Sequence, residues 1–432
     1  MPTAESSTAS QNPFDSKGTF LLSLYMALVG YSVLVALPAI NSAWVDQLGF
    51  SDVEVNRVAS SDLLGLFLGS VAVSFLISRL GRRALIYAGI AIAIAANWLC
   101  IYFTDYSAML ILRTLAGFGA GLYTAVAVAG LGARSKPREA FNWMLLAFAF
   151  SQFIELQLIP HLSMTGIYIF FIATYVVTLP FVGFMPSQKQ ARHEFAIASD
   201  EQRPGALAWV GIFAIVVAYV NIGAYWSNIE LAAEAGGLDG DWAAQVISWS
   251  VLLSFVGCFG AMYVLRHFDH DRPVLVTFVL MVIAVGLLAV DVSAGYFILS
   301  VAMFNFLWIF IDVYQMGGVS AADRTGSAAA FIPGAQGLGQ MLGPLVASFL
   351  LERGAGYDGI FILCAGASAT ALLIYTLSYL ATRTRTAASP QELIACCHVA
   401  DKVALGVRRT LLWCLIPAYD FPAFHHKRWV LK

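Results

Sequence analysis

The sequence predicts an all-α membrane protein: twelve transmembrane helices in two six-helix halves, with both termini cytoplasmic. Three observations lead there. Of the 432 residues, 59% are hydrophobic and 12% charged, whereas a soluble domain averages about 25% charged residues. The apolar residues gather into blocks of about 20 or more, each long enough to cross a hydrocarbon core of roughly 30 Å at about 1.5 Å per residue. The loops between blocks alternate, basic then acidic, along the chain. A water-soluble globule is excluded, and nothing indicates a nucleic-acid partner.

Residues 1–17 are polar and read as a cytoplasmic N-terminal tail rather than a cleaved leader. The N-terminal half covers 18–185, with apolar blocks at 18–42, 56–78, 84–103, 107–132, 139–162 and 165–185. A central cytoplasmic linker, PSQKQARHEFAIASDEQRP at 186–204, carries both signs of charge, as a solvated segment should. The C-terminal half covers 205–382, with blocks at 205–228, 242–266, 273–291, 294–317, 325–351 and 359–381. The cytoplasmic tail, 383–432, mixes apolar clusters with Arg408, Arg409, Lys427 and Arg428 and reads as carrying an interfacial helix.

Lys and Arg in short loops stay on the cytoplasmic side. One set of loops holds Arg79, Arg82 and Arg83, then Arg134, Lys136 and Arg138, then Arg266, Arg272 and Arg324. The opposite set holds Asp46, Asp52, Glu54, Asp105, Glu234, Asp239, Asp241 and Asp291, with Arg57 and Arg353 against the trend. Both ends of the chain therefore fall on the cytoplasmic side.

The loop after the second block, with Arg79, Gly81, Arg82 and Arg83, resembles the signature loop of the major facilitator superfamily. The run RTLAGFGAG in the fourth block, with Arg113, Gly117, Gly119 and Gly121, resembles a second feature of that family. Two positions depart from the pattern: Ser78 stands at the signature aspartate and Ser74 at the leading glycine. The resemblance implies two parallel halves that alternate access to a site near midplane. It also implies that Arg79, Gly81, Arg82 and Arg83 gate the cytoplasmic side, that the first, fourth, seventh and tenth helices line the cavity, and that the second and eleventh helices meet across the halves.

A charge at the bilayer centre costs at least about 2.5–3.5 kcal/mol, so each one is a candidate for function. Arg113, Glu155 and Asp62 lie at similar depth in the first half. We read Arg113 paired with Glu155, and secondarily with Asp62, as a proton-coupling group; a static buried pair is the alternative. Asn305, Trp308 and Asp312 share one face of the tenth helix, and Asn221, Tyr225 and Asn228 one face of the seventh. With the cavity that the resemblance implies, Asn221, Tyr225, Asn228, Asn305 and Trp308 become candidate substrate-binding residues. Asp312, nearer the cytoplasmic end, is a candidate for gating. Hydrogen bonding between helices is the alternative reading of the same polar faces. Gly65 with Gly69, and Gly334 to Gly343 beside Pro333 and Pro344, mark close helix contacts or hinges.

The chain has no G-x-x-x-x-G-K-[ST] run, so energy is expected from a gradient. It has no H-E-x-x-H, G-x-S-x-G or cofactor motif, and its six cysteines show no metal or disulfide spacing. No enzyme activity, cofactor or metal is expected. The expectation is a secondary active transporter of a small organic solute, working by alternating access as a proton-coupled symporter, monomeric in the cell (inner) membrane. The fifth helix, FAFSQFIELQLIP, lacks the glycines and first proline of the run found in the family's drug antiporters, which favours a symporter or uniporter over an exporter. A proton-coupled exporter (antiporter) and a non-transporting membrane sensor remain alternatives.

Overall fold

The computed structural model describes residues 12–187, 206–267, 271–322 and 331–387. Most of the expected linker 186–204 and nearly all of the tail 383–432 lie outside the described residues. The N-terminal helices are α1 (Lys17–Val35), α2 (Leu37–Leu48), α3 (Asp52–Leu80), α4 (Arg82–Cys100), α5 (Tyr106–Gly132), α6 (Pro137–Leu158) and α7 (Met164–Thr178). The C-terminal helices are α8 (Ala206–Ala235), α9 (Gly240–Ser250), α10 (Leu252–His267), α11 (Asp271–Val290), α12 (Ala294–Ala322), α13 (Ile332–Glu352) and α14 (Gly356–Ala387). By length and composition, the described residues hold 11 helices able to cross a membrane, α9 and α10 counting together. The expected block missing from this set is α13, where four glycines, two glutamines and two prolines displace apolar side chains.

Local sequence sets the helix ends. Ser51 and Glu54 form a capping box at the start of α3, and the carboxylates of Asp105 and Asp239 cap α5 and α9. Gly81 alone separates α3 from α4 and sits at φ 79°, where a side chain would be strained. The first apolar block is broken at Ala36. Pro38 has no N–H to give the carbonyl of Leu34 four residues back. That carbonyl instead accepts the indole N–H of Trp226 from α8 at 3.1 Å, and the neighbouring Val35 carbonyl lies 3.3 Å from the same nitrogen.

Residues 12–16 are packed rather than a free tail. Phe14 is fully buried, Asn12 donates to the Ala133 carbonyl at 2.8 Å and Arg134 donates to the Phe14 carbonyl at 2.8 Å. Asp15 accepts hydrogen bonds from the Ser135 hydroxyl and N–H, and the hydroxyl bond chiefly holds its carboxyl below the ordinary range.

The glycines of the RTLAGFGAG run are close-approach positions. A Cβ on Gly117 would strike the carbonyl and carboxylate of Asp62, and one on Gly121 the carbonyl of Leu66, both on α3. One on Gly119 would strike Gly89 and Ala93 on α4. The run thus seats α5 between α3 and α4. Gly65 and Gly69 face this same α5 contact, not the expected contact with the eleventh block. Helices α3 and α13 do meet, as expected, with Ser60 donating to the Met341 carbonyl at 2.9 Å and Gly337 against Phe67. Overpacking typically costs about 1–3 kcal/mol. We expect Gly117→Val to lower thermal stability by that order, measured by melting in detergent, while Gly286→Val, where a Cβ meets nothing within 4 Å, leaves it unchanged.

Candidate functional site

Two ends of the bundle differ in chemistry: an acidic end with Asp46, Asp105 and Asp241, and a basic end with Arg79, Arg83 and Lys136. At the acidic end a dense set of polar contacts joins N-terminal to C-terminal helices. The side-chain amides of Asn56 and Asn228 exchange two hydrogen bonds at 2.7 and 2.9 Å. Asn41 donates to the Ser227 carbonyl at 2.6 Å, Gln157 to Ser248 at 2.7 Å, and Arg57 meets Glu352 at 2.7 Å.

Displaced toward the basic end lies a cavity of about 70 Å³. Its wall comes from both groups of helices: Tyr31, Leu66, Phe67 and Phe148 among the N-terminal ones, and Tyr219, Trp308, Asp312, Gln336 and Gln340 among the C-terminal ones. Phe148 sits edge-on between Tyr31 at 6.0 Å and Trp308 at 6.2 Å. Asp312 accepts from the Tyr219 hydroxyl at 2.5 Å, and that hydroxyl accepts from Gln336 at 2.6 Å. A smaller cavity, lined by Ser32, Asp62, Asn97 and Arg113, is separated from the first by Leu34 and Leu66, which line both.

Of the five candidate substrate-binding residues, Trp308 lines the larger cavity. The other four are held elsewhere. Asn228 belongs to the amide pair with Asn56. Tyr225 shares a hydrogen bond with Ser300 at 2.8 Å and stacks on Phe304 at 4.0 Å. Asn305 donates to Ser250 at 2.9 Å, and Asn221 is buried on α8 with its backbone carbonyl 3.7 Å from the Cys364 thiol. A polar face on a long helix serves neighbours at one depth and a cavity at another, and helical spacing does not separate the two. Asp312, expected at the gate, lines the cavity itself.

Arg113 does not pair with Glu155. Its guanidinium donates twice to Asp62, once at 2.8 Å and once through a shorter contact, and its third arm reaches Asn97 at 2.8 Å. The rings of Trp44 and Tyr168 lie 6.0 and 5.8 Å from its centre. The close approach at Gly117 brings Asp62 to this spot, so backbone packing chooses the partner. Glu155 accepts from Ser32 at 2.5 Å and from Ser151 at 2.6 Å, and is buried between α1 and α6. Hydroxyls can donate to a carboxylate or accept from a carboxyl proton, so Glu155 keeps partners in either protonation state.

Of the signature arginines, Arg83 is bonded within the N-terminal helices. Arg83 donates to the Met185 and Gly183 carbonyls at 2.7 Å each, at the end of the turn after α7. Arg82 is buried, 4.9 Å from the ring of Phe14, and Arg79 is exposed in the last turn of α3. Sequence reasoning passed over Glu230, buried at the acidic end of α8; the signal was an acid one turn past Trp226 inside an apolar block.

With this geometry, the comparisons with known proteins agree. The family model of the Major Facilitator Superfamily matches residues 19–321. The chain belongs to this superfamily. Two crystal structures of the nucleoside transporter NupG, one of a point mutant, share the fold. They match at TM-scores of 0.66 and 0.65 with 13% identity, covering 84% of this chain and 100% and 98% of theirs. At that identity the likeness is one of fold. No curated protein matches the chain in sequence. Membership makes the protein an integral, multi-pass membrane protein with a transporter fold.

Removing one partner of a buried ion pair costs about 3–5 kcal/mol. We expect Asp62→Asn to lower thermal stability and yield on that scale, since Arg113 then keeps a buried charge. Glu155→Gln should cost little, because an amide still bonds both serines. Melting of the two purified variants checks both.

Proposed function

We propose that the protein is a secondary active transporter of a small organic solute, driven by a proton gradient in symport, and not an enzyme. The observation that carries this is the larger cavity, walled by both groups of helices and displaced toward the basic end, while polar contacts close the acidic end. A carrier that alternates access needs one face shut while the site communicates with the other. In this reading α13 is the twelfth span, the halves are 18–185 and 205–382, the basic end and both termini are cytoplasmic, and the monomer sits in the cell (inner) membrane. The conformation is then inward-facing. Arg79, Arg82 and Arg83 would engage the C-terminal half only in the opposite state. The cavity, lined by aromatic rings and the amides of Gln336 and Gln340, also suits a ring-containing solute.

Orientation has a direct test. Single cysteines at Asp46→Cys and Asp241→Cys, both exposed, should react with an impermeant thiol reagent in intact cells, and Lys136→Cys should not. The opposite pattern would reverse the topology.

Glu155 is the proton carrier in this reading, since it is buried without a cationic partner and its two hydroxyls serve both protonation states. Arg113 and Asp62 hold the surrounding helices in place. Glu155→Gln mimics the protonated state, so accumulation driven by a pH gradient should vanish while exchange of substrate across proteoliposomes continues. Gradient-driven accumulation that persists in this variant, and collapses with a protonophore, would remove Glu155 from the coupling.

A further inference from the structure

We infer that the larger cavity selects small organic cations, ammonium compounds with an aromatic or apolar body, over neutral and anionic solutes of similar shape. The inference deepens the transporter reading and rests on it.

Among the described residues, the wall of the cavity contains no Lys, Arg or His and one carboxylate, Asp312. An anion entering this space would shed water with no cation to receive it, beside a carboxylate that repels it. A neutral solute would gain nothing from Asp312 beyond one hydrogen bond. A cation gains twice. Asp312 is an opposite charge in a largely apolar enclosure, where attraction is less screened than in water. The rings of Tyr31, Phe148 and Trp308, set at 78° and 82° to one another, offer faces and edges to the same space, and aromatic faces attract ammonium groups.

Asp312 is also fixed in position. Gln336 donates to the Tyr219 hydroxyl and that hydroxyl to Asp312, a chain that runs from α13 through α8 to α12. Two other buried acids already have local partners: Asp62 has Arg113, and Glu155 has two serines; Glu230 is buried at the acidic end, away from this cavity. Leu34, Leu66, Met144, Leu145, Ile309 and Met316 complete the wall and would receive the apolar body.

The test uses the purified full-length protein with phenyltrimethylammonium, which is permanently charged, and with benzamide and benzoate as neutral and anionic counterparts. We expect the ammonium to bind at least about tenfold more tightly than benzamide, a difference of about 1.4 kcal/mol, and benzoate to give no thermal stabilisation. Asp312→Asn should lose that cation preference, the ammonium then binding no more tightly than benzamide, while Asp312→Glu keeps most of it. Benzamide or benzoate binding the unaltered protein as tightly as the ammonium would overturn the inference, without relying on any variant's folding. So would no response to all three compounds, or ammonium binding that is unchanged in a folded Asp312→Asn protein. The two readings separate in proteoliposomes. Facilitated flux of benzamide or benzoate without cation preference sinks this inference alone. Asp312-dependent ammonium binding with no flux of any of the three leaves the inference standing and sinks the transporter reading.

Discussion

A guanidinium kept from water has to be surrounded, and much of the N-terminal half is arranged around that requirement. Arg113 on α5 is 1% exposed. It draws Asp62 from α3, Asn97 from α4, the Trp44 ring from α2 and the Tyr168 ring from α7. Five helices are thereby fixed relative to one side chain. Trp44 and Tyr168 are themselves joined at 3.1 Å, so the aromatic part of the shell is closed as well. The ion pair is weak support for stability in itself, since desolvation offsets its attraction. Its effect is on arrangement: any packing of these helices that separates Arg113 from Asp62 leaves two buried charges alone.

The acidic-end closure follows a different logic, because under the proposed reading it would have to open. It includes a buried amide pair, Asn56 with Asn228, where an ion pair could have stood. Amides separated from each other recover hydrogen bonds with water, and each such bond contributes only about 0.5–1.5 kcal/mol net. The one charged contact, Arg57 with Glu352, is partly exposed and screened accordingly. Summed, these contacts amount to a few kcal/mol, the scale on which ligand binding can shift a two-state equilibrium. A closure built from buried charges would have been far harder to reverse.

How much of this was legible in the sequence depended on whether the signal was local. Helix positions, the break at the α3–α4 turn and the close-packing role of Gly117, Gly119 and Gly121 follow from residues near in the chain. That Arg113 would be buried and paired was also legible. Which acid it pairs with was not, because Asp62 and Glu155 lie at similar depth and the choice rests on the rotation of α3 against α5 set by Gly65, Gly69, Gly117 and Gly121. The polar faces of α8 and α12 failed for a related reason. Periodicity grouped these residues on helix faces, but which of them meet neighbours and where the helices part to form a cavity are properties of the assembled bundle. Hence Trp308 and Asp312 reached the cavity, while Asn228, about two and a half turns of helix beyond Tyr219, reached the closure.

The positions of Glu155 and of the cavity wall suggest how proton and solute sites would communicate under the proposed reading. Tyr31 and Ser32 are consecutive on α1, one in the wall of the cavity and the other bonded to Glu155. Phe148, Ser151 and Glu155 lie one turn apart along α6, again with the wall residue at one end and the acid at the other. The Tyr31–Phe148 contact and the Ser32–Glu155 hydrogen bond therefore cross the same α1–α6 interface. A solute that wedges the two rings apart acts on the spacing that holds Ser32 against the carboxylate. A change in Glu155 that alters this spacing acts in turn on the rings. Under that reading the coupling would be reciprocal because both sites load one interface, and it would need no longer path through the protein.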